Sequence, residues 1–208
     1  MSKAITKKLL PDFESIKDNN EEILWIDKPV FIPYILHNII TEITTFCIGL
    51  FIIISPYYLS FNNESEPSWL RFVALIPIGQ SLYSFFSKIF SYSNTSYAYS
   101  NKRVMIRTGF IGTNFKIIDH DKVLDIEVKK NLIERICDVG TVQFFSGQMK
   151  KNDDSISEIY DKWIGIKNPY EVFKMVKQTA VDIKTDYNYP NALRPEHNTG
   201  YRTKYKPN

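Results

Sequence analysis

The sequence predicts an α+β chain: a transmembrane α-helical hairpin, then a small bent β-sheet or barrel of six or seven strands, closed by one C-terminal helix. Three observations carry this. Residues 30 to 90 are mostly apolar and aromatic, whereas the rest of the 208-residue chain is strongly charged. Short apolar runs separated by turn residues fill residues 94 to 167, the pattern of a small sandwich or barrel. A capped amphipathic stretch begins at Asn168. Four segments follow: a cytoplasmic N-terminal segment (1–29), the hairpin (30–90), the β-rich domain (94–183) and an extended tail (184–208).

The first segment does not read as a secretory signal. Leu9, Leu10 and Pro11 lead straight into the polar "DFESIKDNNEE", where a cleavable signal needs a basic start, an apolar core and a small-residue site. Targeting is therefore assigned to internal spans. The first runs from about Ile35 to Tyr58 and contains "FCIGLFIIISPYY"; the second runs from about Trp69 to Phe90. Each reaches the roughly 20 helical residues that a hydrocarbon core needs. Buried helices of a soluble protein are the alternative, but these show a polar face, and "IGLFIIIS" has none. Pro56, Tyr57, Tyr58 and Trp69 would lie at one interface, where aromatic rings prefer to sit.

Charge sets the orientation. Lys3, Lys7, Lys8, Lys17 and Lys28 precede the first span, the connecting "LSFNNESEPS" has no Lys or Arg, and twenty Lys or Arg occur from Lys88 onward. Positive charge stays on the cytoplasmic side, so both termini are expected there, in a multi-pass protein of the cell membrane. Arg71 sits at the outer end, where it can snorkel. Asn63 opens an N-x-S sequence so close to the bilayer that it reads as chance.

Three polar residues in the spans stand out: Glu42, Gln80 and Lys88. Ionisable groups at such depth default to a functional hypothesis, here a small membrane enzyme or a transporter accessory subunit. The plainer reading is a staple. Glu42 falls near the level of Ser84 and one turn from Lys88 on the returning helix, by the 1.5 Å rise per residue. His37 is five residues from Glu42 and shares no helical face with it.

The β-rich part is read in order. "TSYAYS" and "RVMIRTGFI" flank the short turn "NKR". "FKII" and "VLDIEV" follow, split by the polar "DHDK". Then come "VGTVQFFSG", the polar loop "QMKKNDDSISEIYD" and the run "KWIGIKNP". The final helix has Asn168 as cap, Pro169 at its first position and Glu171 three residues after the cap, the chemistry of a helix start. Val172, Val176 and Ile183, with Phe173, Thr179 and Ala180 beside them, form its apolar stripe. Gly109 and Gly140 fall where a turn or bulge needs a residue without a Cβ.

Together these segments resemble the prokaryotic pleckstrin-homology (PH) domain family. The likeness rests on the transmembrane hairpin, "SNKRVMIRTGFIG", "HDKVLDIEV", "IERICDVGTVQFFSG" and "IKNPYEVFKMV". The branch with two spans before a PH-like domain also has a segment similar to Glu21–Trp25 followed by Lys28 and Pro29. The resemblance covers roughly residues 21 to 183. It implies a strongly bent seven-stranded sheet capped by a helix, used as a binding scaffold, with no catalytic residues to carry over.

Direct search for chemistry agrees. The chain has no G-x-S-x-G, H-E-x-x-H, P-loop or G-x-G-x-x-G sequence, and its three histidines lie in three separate regions. Asp119, His120 and Asp121 read as a solvated turn. Cys47 and Cys137 show no metal-ligand spacing, and Cys137 reads as a small buried apolar residue. No catalytic residue, cofactor or metal is assigned. Two basic clusters, Lys102, Arg103 and Arg107, and Lys129, Lys130 and Arg135, are candidate contacts for a partner or for anionic headgroups at the inner leaflet. The bilayer is the expected partner, together with a membrane protein or a second copy of the chain. Nucleic acid is not expected, because the charge excess is small and no helix carries a basic stripe. The tail is rich in Tyr, Asn, Pro and Lys and has no apolar period.

Overall fold

Five consecutive buried residues, Ser96–Ser100, form strand β2 at the centre of the domain. A strand sends alternate side chains to opposite faces, so burial throughout means that both faces of its sheet are covered. The computed structural model describes residues 12–60, 70–152 and 155–188. The first sheet has the order β1-β2-β3-β4, with β1 at Ile23–Asp27, β3 at Arg103–Thr108 and β4 at Asn114–Asp119. The second has the order β5-β6-β7, with β5 at Asp125–Lys129, β6 at Val139–Asn152 and β7 at Ser155–Lys167. All pairings are antiparallel.

Tyr97, Tyr99, Val104, Ile106 and Ile118 of the first sheet meet Val142, Phe144, Trp163 and Ile166 of the second in one core. The C-terminal helix, Pro169–Asn188, closes it with Val172 and Val176. Trp163 is the hub: its ring stacks on Trp25 at 5.1 Å and on Tyr97 at 5.9 Å, and meets Phe144 edge-on at 4.8 Å. Burial pushes the Tyr97 hydroxyl far above its ordinary range, and it accepts a hydrogen bond from the Ile164 amide. A second, smaller cluster lies on the other face of the first sheet. Phe13, from a helical turn at residues 12–14, covers Ile26, Ala98 and Met105 there.

The helices, in chain order, are α1 (Phe31–Ile35), α2 (Ile39–Ser60), α3 (Leu70–Tyr92), α4 (Leu132–Ile136) and α5 (Pro169–Asn188). α2 and α3 pack antiparallel: Glu42 faces Ser84 and Lys88, whereas Gly49 faces Ala74 and Ile78. A Cβ on Gly49 would lie 2.5 Å from Ile78 Cγ1 and 3.2 Å from the Ala74 carbonyl, so the close approach depends on glycine. Their other faces leave Ile40, Phe51, Phe72 and Ile76 exposed. Phe72–Tyr92 is long and apolar enough to cross a membrane, and Ile39–Ser55 is a shorter apolar helix. The expected interface residue Trp69, the N-x-S sequence at Asn63 and the loop around them lie outside the described residues, as does the chain beyond 188.

Three boundaries differ from the sequence reading. Ile23–Asp27 is not part of a separate N-terminal segment but the edge strand of the first sheet, with Trp25 opposite Tyr99 and Asp27 opposite Tyr97. The helical pair is therefore inserted between β1 and β2. The polar residues 148–152 and 155–161 are strand, not loop. They form the outer half of a long β6–β7 ribbon, with Met149 opposite Glu158 and Lys151 opposite Ile156. Cross-strand hydrogen bonds sustain this ribbon where apolar alternation fades. The last helix runs five residues past 183, to Asn188. The glycine expectations fit: a Cβ on Gly109 would lie 2.1 Å from the Gly112 carbonyl oxygen, and one on Gly140, at a register shift, 2.8 Å from Pro169.

Candidate functional site

Glu42 lies in the first turn of α2 and is almost fully buried against α3. Its Oε1 accepts from Lys88 Nζ at 2.5 Å and from Ser84 Oγ at 3.0 Å. Ser81 Oγ donates to the Glu42 carbonyl at 2.9 Å, and Lys88 also donates to the His37 carbonyl. Ser81, Ser84 and Lys88 follow one another at three and four residues, so a single stripe of α3 supplies all three. Gln80 lies outside this stripe and is exposed. Of the three polar residues singled out in the sequence, two are brought together and the third is left out. The arrangement neutralises charge across a helix seam and ties α2 to α3. Glu42 Oε2 has no partner among the described residues and borders a cleft lined by Ile39, Ile43, Phe46, Leu82 and Phe85.

The basic hairpin is placed differently from expectation. Arg103, Met105 and Arg107 share one face of β3, by the strand's two-residue period. That face is the one covered by the N-terminal segment. Arg103 Nε donates to Glu21 Oε1 at 3.0 Å, and its Nη2 to Glu21 Oε2 at 2.7 Å and to Asp18. Arg107 Nη1 lies 3.2 Å from Asp12 Oδ2, and Lys102 Nζ donates to the Asn19 carbonyl. The two arginine side chains are only 12% and 14% exposed. Residues 12–21 thus sit over the cluster and neutralise it. The second cluster is also engaged. Lys129 pairs with Glu127 at 2.9 Å and lies over the Tyr160 ring, and Lys130 lies 3.5 Å from Asp138 and over the Tyr170 ring. Arg135 is exposed on α4.

Glu21 has a depressed pKa. Its burial acts to raise it, but hydrogen bonds from Ser100 Oγ, the Asp18 amide and Arg103 outweigh that. The Asp119-His120-Asp121 turn is not a solvated cluster throughout. His120 is buried, its Nε2 lies 2.9 Å from the Ser100 carbonyl, and burial lowers its pKa. Asp119 instead pairs with Lys122 at 2.9 Å. Among the described residues, no three His, Cys, Asp or Glu side chains converge on a metal-sized site. Cys137 caps α4 and is only half-buried.

The base of the helical pair is fixed to the domain. The Val30 amide donates to the Gly165 carbonyl at 2.9 Å, Tyr34 Oη lies 3.1 Å from Thr95 Oγ1, and the Phe31 and Phe90 rings contact Tyr92 and Phe110 edge-on. Helices and sheets therefore share one structural frame, and a sequence signature should run across both. It does: the family model for the bacterial PH domain matches residues 32–178, well over half of the chain. The chain belongs to the bacterial PH-domain family. No curated protein and no solved structure matches it. Membership of the PH-domain family indicates a binding or scaffold role. Fold alone names no ligand; the surfaces of this PH domain decide what it engages.

Sequence reasoning missed two features of the PH domain. One is the capping box at α4, where the Asn131 side chain accepts from the Glu134 amide and the Glu134 carboxylate accepts from the Asn131 amide. The signal was present, as an Asn with Glu three residues on. The other is the acidic cover over Arg103 and Arg107, for which adjacent sequence holds no signal.

Proposed function

We propose that this PH-family chain is a non-enzymatic, membrane-anchored scaffold. Two antiparallel spans hold its domain at the cytoplasmic face, where it engages a membrane protein or a second copy of itself. The observation that carries the reading is the pairing of β1 with β2 on either side of the helical pair. Strands that share a sheet lie on the same side of a bilayer. The intervening chain must then cross an even number of times, so if α3 spans, α2 spans as well. Helices of 22 and 23 residues reach about 33 Å at 1.5 Å per residue, enough for a hydrocarbon core of about 30 Å. The exposed apolar faces of both helices suit lipid, and the absence of Lys and Arg from the loop at residues 61–69 suits an external position.

A headgroup site on the β2–β3 hairpin is disfavoured, because Asp12, Asp18 and Glu21 already occupy its arginines. The test is accessibility in intact cells to a membrane-impermeant thiol reagent. It uses Asn63→Cys and Lys150→Cys in a chain whose Cys47 and Cys137 are replaced by serine. Labelling at 63 and protection at 150 are expected. Labelling at 150, or at neither position in a chain released by alkaline carbonate, overturns the reading.

A further inference from the structure

The two turns of the β2–β3–β4 meander have opposite character. The β2–β3 turn is polar, at Asn101 and Lys102, whereas the β3–β4 turn carries Phe110 and Ile111 at its apex. Ile111 is 91% exposed and Phe110 44%. Turn apices are ordinarily Gly, Pro, Asn, Asp or Ser, which supply the backbone conformations and local hydrogen bonds that a turn needs. A single exposed isoleucine is ordinary, but large apolar side chains at an apex that adjoins further exposed apolar residues form a patch that calls for another neighbour.

The position of the turn says which. β3 runs toward the base of the helical pair, since Arg107 lies opposite Ser96, four residues after α3 ends at Tyr92. Asn94 Nδ2 donates to the Gly109 carbonyl at 3.2 Å, and the Phe110 ring lies edge-on to Phe90 of α3 at 5.6 Å. Phe90 is itself exposed. The exposed apolar surface of α3 thus reaches the turn through this ring contact. On α1, Phe31 and Ile32 are exposed at the same end, 47% and 55%, with Phe31 against Tyr92. The turn is also held in shape. Gly112 has φ +108°, and no side chain fits on Gly109, so Phe110 and Ile111 project from a preformed tight loop.

We propose that the β3–β4 turn is a lipid-contacting wedge: Phe110 and Ile111 enter the interfacial layer of the bilayer beside the inner end of α3. The occupant is the bilayer itself. This rests on the membrane-anchored reading and adds to it that the domain is seated on the membrane at a fixed angle rather than hanging from a swivel. Aromatic and aliphatic side chains at the headgroup boundary are stabilised there. Contact through the turn, together with the hairpin, gives two points of attachment on one rigid frame.

The test uses the full chain in phosphatidylcholine–phosphatidylglycerol vesicles, with Cys47 and Cys137 replaced by serine. An environment-sensitive fluorophore is attached at Ile111→Cys and, separately, at Ser157→Cys on the outer part of the β6–β7 ribbon. Both positions are exposed, so labelling leaves the core intact. At 111, a blue-shifted emission and loss of most of the signal to lipids spin-labelled near the headgroup are expected. At 157, the emission should be that of a dye in water, without quenching. A water-like, unquenched dye at 111, in a chain that stays in the vesicles through alkaline carbonate, overturns the wedge and leaves the anchor standing. Loss of the chain to carbonate overturns both.

Discussion

Arg103 and Arg107 flank Met105 on the same face of β3, and that face is covered by residues more than eighty positions earlier. The period of two was legible in "RVMIRT"; which face met water was not. The reason is that Asp12, Asp18 and Glu21 approach through the tertiary fold, and a count of local charge cannot see them. Glu21 is the residue to test. Its pKa is depressed in the fold, so it binds protons less readily there than in the unfolded chain. Its contribution is present above the ordinary value of 4.5 and is lost as pH falls through the lower folded value. We expect Glu21→Gln to cost about 2 kcal/mol at pH 7, in the range for hydrogen bonds to charged groups. We also expect its stability to fall less steeply than the parent's below about pH 4.5. Tryptophan-fluorescence melting of both chains in mild detergent from pH 7 to 3.5 measures this. Parallel curves would mean that another carboxylate controls the acid limb.

The α2–α3 pair shows how far element-scale reasoning carried. Antiparallel packing and the meeting of Glu42 with Lys88 follow from spacing along two apolar helices, whereas the break at Leu36–Asn38, which starts α2 at Ile39 instead of Ile35, does not. That Gln80 turns outward, and that Gly49 sets the distance of approach, depend on helix rotation, which sequence spacing alone leaves free. Glu42 and Lys88 act as a unit, so removing one leaves a poorly solvated charge behind, whereas removing both does not. Lys88→Met should therefore be less stable than the Glu42→Gln/Lys88→Met double variant, with a coupling of about 0.5–3 kcal/mol, the range for residues in one hydrogen-bond and ion-pair network. A double-variant cycle read by unfolding in detergent titrated with dodecyl sulfate decides it, and strict additivity would dismiss the staple. The β6–β7 ribbon was misread at the same scale. "QMKKNDDSISEIYD" is polar because the ribbon projects from the core with both faces wet, so period-two apolar alternation, the usual strand signal, is weak there.

For the whole molecule, the order of strands and the closing helix could be read from the turn signals and the Asn168-Pro169 start. The place of β1 could not, because the chain leaves the domain for 68 residues between Asp27 and Ser96 and local pattern carries no memory across that gap. The core does depend on it: Trp25 stacks on both Tyr99 and Trp163. Residues 94–183 alone should therefore lack a finished core and remain partly folded. A chain in which a short Gly/Ser turn replaces residues 29–94, joining β1 directly to β2, should fold as a soluble β-rich domain. Asp27 lies opposite Tyr97, so such a turn has the reach of an ordinary hairpin. Dispersed amide spectra and cooperative melting for the second chain but not the first are the expected result. Equal behaviour of the two would show that β1 is dispensable.

The insertion of the helical pair between β1 and β2 also orders events in time. β1 leaves the ribosome early, but its neighbour in the sheet does not exist until both helices have been synthesised. Closing a loop of that length as free coil carries an entropic penalty that grows with the logarithm of its length. Antiparallel helices remove most of that search, because pairing α2 with α3 delivers the two strand ends to the same point. Assembly of the helices then becomes the step that licenses completion of the sheet, and a lesion in the helical seam, far from any strand, would be felt as slow or incomplete folding of the domain.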